Sequence, residues 1–167
     1  MRLKDHVSPQ QLKELNLLLL LESAKQVGGG AELRKRSRAR AKMVSDAMLA
    51  SLVDEMPDVA RQGARGAWSH WMALVATRQP FFDANHRTAL GAFNAATRAA
   101  WAFEYILSND DLEAMMTGSR RLVKEAHRPG AEAPRRASVG ALRDPLHPAR
   151  AFYAGFESRL KERPLPT

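Results

Sequence analysis

Trp68, Trp71, Met72 and Val75 stand at i, i+3, i+4 and i+7 in a stretch that runs from Asp58 to Gln79 and stops at Pro80. That spacing puts four large apolar side chains on one helix face, which must be covered. The same period recurs along the chain. Ser8-Pro9 supplies an N-cap hydroxyl and a first-turn proline, Leu12, Leu15 and Leu19 follow, and Gly28-Gly29-Gly30 ends the segment. Ala31 to Met56 reads as one helix, with Met43, Val44, Ala47, Met48 and Leu52 on its apolar side and Pro57 as its stop. Leu90, Phe93, Ala96, Trp101 and Tyr105 carry a helix from Arg87 to Leu107. Ser108-Asn109-Asp110-Asp111 caps another through Leu112, Met115, Met116, Leu122 and Val123. Ala149 to Arg163, with Phe152, Tyr153 and Phe156, suggests a last helix. No stretch alternates long enough to predict a strand. The expected class is all-α, with the three tryptophans in the core and Gly63 and Gly66 allowing close helix approach.

A chain of 167 residues with 45% hydrophobic residues suits one compact domain. We divide it into a helical domain, 1–127, and a basic, Pro/Gly-containing C-terminal extension, 128–167, with the possible final helix inside it. Cysteine is absent, which removes disulfides, thiolate metal sites and thiol nucleophiles. The longest leucine run is Leu17 to Leu21, against about 20 apolar residues for a membrane span. No signal-type apolar stretch follows Met1. The expectation is a cytoplasmic protein without a membrane segment.

The net charge is +8, and its distribution is uneven. Residues 31–42 carry net +5 and 119–167 net +6, while 43–118 carry net −4. The run Arg34 to Lys42 can contact nucleic acid or an acidic partner, or simply form a solvated helix face. No aromatic residue interleaves it, which disfavours a single-strand stacking site.

Between the two central helices lies Gln79-Pro80-Phe81-Phe82-Asp83-Ala84-Asn85-His86-Arg87-Thr88-Ala89-Leu90. A loop entering a helix N-terminus offers free N–H groups and partial positive charge, which suit phosphate. Arg87 can pair with a phosphate in bidentate fashion. Asp83 can hold a Mg²⁺ ion that bridges phosphates, and Asn85 can bond loop backbone or ligand oxygens. The same residues equally suit an ordinary helix–loop–helix turn, with Asp83 as the N-cap and Arg87 solvated.

The order of residues in this loop resembles the Fic/Doc signature, His-Pro-Phe-x-Asp-Gly/Ala-Asn-Gly/Lys-Arg-Thr-Ala. Pro80, Phe81, Asp83, Ala84, Asn85, Arg87, Thr88 and Ala89 match it. Leu20-Leu21-Glu22-Ser23-Ala24, Met56-Pro57-Asp58-Val59-Ala60 and Asn109-Asp110-Asp111-Leu112-Glu113 resemble flanking segments of the family, so the likeness runs over roughly residues 17–125. The resemblance implies a small helical bundle with the motif loop between two central helices, binding ATP and Mg²⁺. It implies Asp83 as the Mg²⁺ ligand, Asn85, His86 and Arg87 at the phosphates, and Phe81 as a core anchor. It also implies AMP or phosphate transfer to a target-protein hydroxyl and, for Doc-like members, a cognate antitoxin.

Two positions depart from the signature. Gln79 occupies the place of the catalytic histidine and has no titratable nitrogen to take a hydroxyl proton. Losing a general base typically costs about 10²–10⁴-fold in rate. His86 occupies the glycine or lysine position and is the one nearby substitute base, since His70 lies nine residues before Gln79 on the same predicted helix, about 13 Å away at roughly 1.5 Å per residue. Leu90 stands where AMP-transferring members carry a second arginine. The expected function is nucleotide or phosphate binding with weak or lost transfer, as in an attenuated toxin or a pseudoenzyme. The alternative is an all-α interaction module that binds nucleic acid or an acidic protein through its basic segments.

Overall fold

The computed structural model describes residues 3–81, 83–126, 144 and 147–165. The proposed linker, 130–148, falls almost wholly outside them, as does Phe82. The chain forms helices α1 (Pro9–Gln26), α2 (Ala31–Lys42), α3 (Asp46–Asp54), α4 (Val59–Arg78) and α5 (Asn85–Trp101). Strand β1 (Phe103–Ile106), helices α6 (Asn109–Ala126) and α7 (Pro148–Ala154), and strand β2 (Lys161–Pro164) complete the described order. The architecture is predominantly helical, as the periodicity predicts.

Helix α4 is the centre. Its residues from Ala67 to Ala76 are all buried, so this helix is surrounded rather than laid on a surface. Trp68, Trp71, Met72 and Leu74 are its largest buried side chains, packed with Leu12, Leu49, Leu52, Phe93, Tyr105, Met115 and Tyr153 from the other elements. Trp101 departs from the expectation: it lies near the end of α5, 38% exposed, stacked on Phe103.

Four local expectations need correction. The segment from Ala31 to Met56 is two helices. Ser45 accepts from the Met48 N–H at 3.3 Å and starts α3 afresh, a side-chain bond that competes with helix continuation. Second, α5 does not run to Leu107. Ala102 turns left-handed (φ 55°), and the next four residues pair antiparallel with β2, Phe103 opposite Pro164 and Ile106 opposite Lys161. The other side of β1 is met by Asn94, whose amide donates to the Tyr105 carbonyl at 2.8 Å and accepts from its N–H at 3.0 Å. One side chain thus does the work of a third strand. Third, the last helix ends at Ala154; a short turn, Glu157–Arg159, leads into β2. Fourth, neither Gly63 nor Gly66 marks a tight contact. A Cβ on Gly63 would meet nothing within 4 Å, and one on Gly66 only Gln62 at 3.5 Å. Gly63 serves a kink instead, at φ 69° and ψ 163° inside α4, a conformation that glycine adopts readily and other residues resist. The close approach lies elsewhere: a Cβ on Gly118 of α6 would sit 2.5 Å from the Phe152 ring of α7.

The described part of the C-terminal extension belongs to the core. Tyr153, Phe156 and Leu160 are buried in the same cluster as the α4 tryptophans. Glu104 of β1, 2% exposed, sits between Arg98 of α5 and Arg163 of β2, each Nε donating to it at 2.6 Å. The two guanidiniums, Arg163 foremost, hold its carboxyl below the usual range. That pairing holds β2 and β1 to the end of α5.

Candidate functional site

The loop between α4 and α5 is built on two left-handed residues. Gln79 (φ 46°) ends α4, its N–H bonded to the Val75 carbonyl at 2.9 Å. Ala84 (φ 60°) is the N-cap of α5 and offers no capping side chain. The expected alternative of Asp83 as N-cap therefore does not hold. Asp83 sits one residue earlier, exposed, its Oδ1 accepting from the Ala84 N–H at 2.6 Å.

Asn85 holds the loop shut. Its Oδ1 accepts from the Phe81 N–H at 3.0 Å, and its amide donates to the Phe81 carbonyl at 2.8 Å and to Gln79 Oε1 at 3.0 Å. Both amide hydrogens are committed inside the loop, so Asn85 shapes the site instead of reaching a ligand. Phe81 is buried beneath it, 3% exposed. From the other side, Asn16 of α1 donates to the Asp83 carbonyl at 2.9 Å and to Thr88 Oγ1 at 3.0 Å. Trp71 of α4 donates to the Ala89 carbonyl at 2.9 Å. Loop and first turn of α5 are thus tied to both flanking helices.

Gln79 is exposed, with its Nε2 turned back to the Ala76 carbonyl at 2.6 Å. Arg87 is exposed too, its guanidinium donating to Ser23 Oγ of α1 at 2.6 Å. Asp83, Gln79 and Arg87 therefore all reach solvent around one helix start. Arg78 is not the solvated neighbour that sequence alone suggests. It forms a half-buried ion pair with Glu55 at 2.7 Å.

His86 is placed differently from the expectation. Its Nε2 lies 2.7 Å from Ser119 Oγ of α6 and 2.8 Å from the Tyr153 hydroxyl of α7, and that hydroxyl donates to Ser119 Oγ at 2.8 Å. A neutral imidazole with Nε2 as acceptor completes a chain of donors from Tyr153 through Ser119 to His86. Burial, aided by the charge of Arg120, lowers the His86 pKa to about 4, and burial raises that of Tyr153. His86 is uncharged at neutral pH and engaged away from Asp83 and Arg87. It joins three helices and is not positioned as a phosphate ligand or a replacement base.

The sequence reading missed Asn16, Ser119 and Tyr153 as parts of this site. Asn16 left a signal: Leu12, Asn16, Leu20 and Ala24 form the buried line of α1, and a lone amide in a leucine stripe must find partners. Ser119 and Tyr153 left none, because their partnership spans α6 and α7. Among the described residues no three His, Asp or Glu side chains gather as a metal site, and no helix is long and apolar enough to cross a membrane. Compared with known proteins, the chain matches no family model, no curated protein and no solved structure.

Proposed function

We propose that the chain is a Fic/Doc-like protein that binds ATP with Mg²⁺ at the Asp83–Arg87 loop and transfers AMP or phosphate to protein hydroxyls weakly or not at all. The observation that carries this reading is the shared exposure of Asp83 and Arg87 at the uncapped start of α5, on a loop fixed from three sides. Uncapped first-turn N–H groups and the helix dipole favour an anion there. Arg87 supplies a planar fork for phosphate oxygens once it leaves Ser23. A single carboxylate is the donor set by which Mg²⁺ is usually held when it arrives on nucleotide phosphates, so Asp83 fits that role. When bound, the ion would neutralise phosphate charge.

The transfer step lacks its proton acceptor. Gln79 cannot take a hydroxyl proton, and His86 is spent on Ser119 and Tyr153. This supports weak or lost transfer, as in an attenuated toxin or a pseudoenzyme; the cytoplasm and a cognate antitoxin enter the proposal through the resemblance alone. Isothermal titration with ATP and Mg²⁺ tests the binding half: heat is expected from the wild type and is lost in Arg87→Ala. No heat from the wild type would refute the site. Gln79→His tests the other half, since histidine accepts the left-handed backbone comparatively well. The variant is expected to add an AMP or phosphate mass to lysate proteins that the wild type leaves unmodified.

A further inference from the structure

Helix α2 stands out from the rest of the bundle. Ten of its twelve residues are exposed; Ser37 and Ala41 alone are buried. It therefore rests on α1 along one narrow line of small side chains and projects from the body. Around that line, at about 100° per residue, Arg34, Arg38, Lys42 and Lys35 fall on one shoulder and Arg36 and Arg40 on the other. Among the described residues Arg36 pairs with Glu32 at 3.4 Å, an exposed contact, and the other five cations have no carboxylate partner.

We propose that α2 docks on the phosphate backbone of double-stranded DNA, as a site separate from the Asp83–Arg87 loop. Three features of the helix favour this partner. Four of the six cations are arginines, whose forked donors match phosphate oxygens better than an ammonium does. A bare helix about 10–12 Å across fits a major groove about 12 Å wide, and cations on both shoulders then meet the strands on both sides. The deep, narrow major groove of duplex RNA does not admit it. An anionic membrane is a poorer fit, because the exposed face of α2 has no apolar stripe to insert. Contacts are to backbone, so binding is insensitive to sequence.

Fluorescence anisotropy with a short labelled DNA duplex of arbitrary sequence tests the site. Wild-type protein is expected to bind at low salt and to weaken steeply between roughly 50 and 200 mM salt. Arg34→Gln with Arg38→Gln is expected to weaken binding at least tenfold and to lower the slope of log affinity against log salt by about 2, since each phosphate contact contributes roughly 0.9. Arg36→Gln with Arg40→Gln, on the other shoulder, should do the same. Far-ultraviolet circular dichroism establishes that each pair leaves the helices intact. A control pair, Arg135→Gln with Arg136→Gln, should change nothing. No binding at low salt would overturn the proposal. So would loss of binding in the control pair with the α2 pairs unaffected, tighter binding to an RNA duplex, or binding to phosphatidylserine vesicles without binding to DNA.

Discussion

The amide of Asn85 donates to Gln79 Oε1 at 3.0 Å across the loop that joins α4 to α5. The bond links the left-handed C-cap residue of α4 to the residue that closes the loop. Their weights differ. Asn85 is 6% exposed and makes two further bonds to Phe81, whereas Gln79 is exposed. Asn85→Ala strands the buried Phe81 N–H and carbonyl, and should cost about 1–3 kcal/mol. Gln79→Ala removes two part-buried bonds of an otherwise exposed residue, leaves the Phe81 pair intact and should cost less, about 0.5–1 kcal/mol. Urea denaturation of the two variants measures both values. Equal losses would show that Asn85 does not organise the loop.

Asn16 offers a second handle on the same loop from α1. It is 2% exposed, and its amide serves the Asp83 carbonyl and Thr88 Oγ1. Asn16→Leu keeps the branched side-chain shape, though with bulkier methyl ends, and fits the leucine stripe, yet leaves two acceptors unserved. We expect a loss of about 1–3 kcal/mol in place of the gain a leucine core position would normally bring. The proposed ATP binding should weaken as well, because Asp83 and the first turn of α5 lose their anchor. Thermal unfolding that leaves Asn16→Leu as stable as the wild type would contradict this account.

The helices were legible because their apolar stripes are local. Trp68, Trp71, Met72 and Val75 announce α4 without reference to anything else. Strand β1 was not legible, because Phe103 to Ile106 become a strand through Asn94 nine residues upstream of the segment's start and β2 nearly sixty residues downstream. The Asp83–Arg87 loop could be found from residue order, but its internal wiring could not. Asn85 and His86 are the types a phosphate site uses, and only tertiary partners show that both are turned to structural work. The broken helix at Ser45 lies between these cases: its capping serine was visible, yet the apolar period ran on past it.

Gly63 and Gly66 lie in one helix three residues apart and should respond in opposite directions. Gly63 has φ 69° and ψ 163°, a region that glycine alone occupies readily, so an alanine there should cost about 1–3 kcal/mol. Gly66 is helical, with room for a Cβ, so Gly66→Ala should stabilise by about 0.5–1 kcal/mol through helix propensity and reduced unfolded-state entropy. Calorimetric melting points of the two single variants decide it. A stabilising Gly63→Ala would mean that the kink at α4 is not required by the fold.

The His86 cluster gives the protein an acid-sensitive joint. Folding lowers the His86 pKa from 6.5 to about 4, so between these values the unfolded chain binds the extra proton and stability rises with pH. The contribution is complete above pH 6.5 and is lost as pH falls towards 4, about 3 kcal/mol over the whole window at 1.36 kcal/mol per pH unit. Protonation also turns Nε2 into a donor and breaks the chain from Tyr153 through Ser119. Glu104 acts in the same sense but in a lower pH window. Its folded pKa lies below 4.5, so its support is complete above 4.5 and fails only at lower pH. The two effects therefore separate on the pH axis. Guanidinium unfolding at stepped pH from 7.5 to 5 should show the wild type losing stability and His86→Gln, which cannot titrate, staying nearly level. Parallel profiles for the two proteins over that range would remove His86 from the acid response and leave its burial as packing alone.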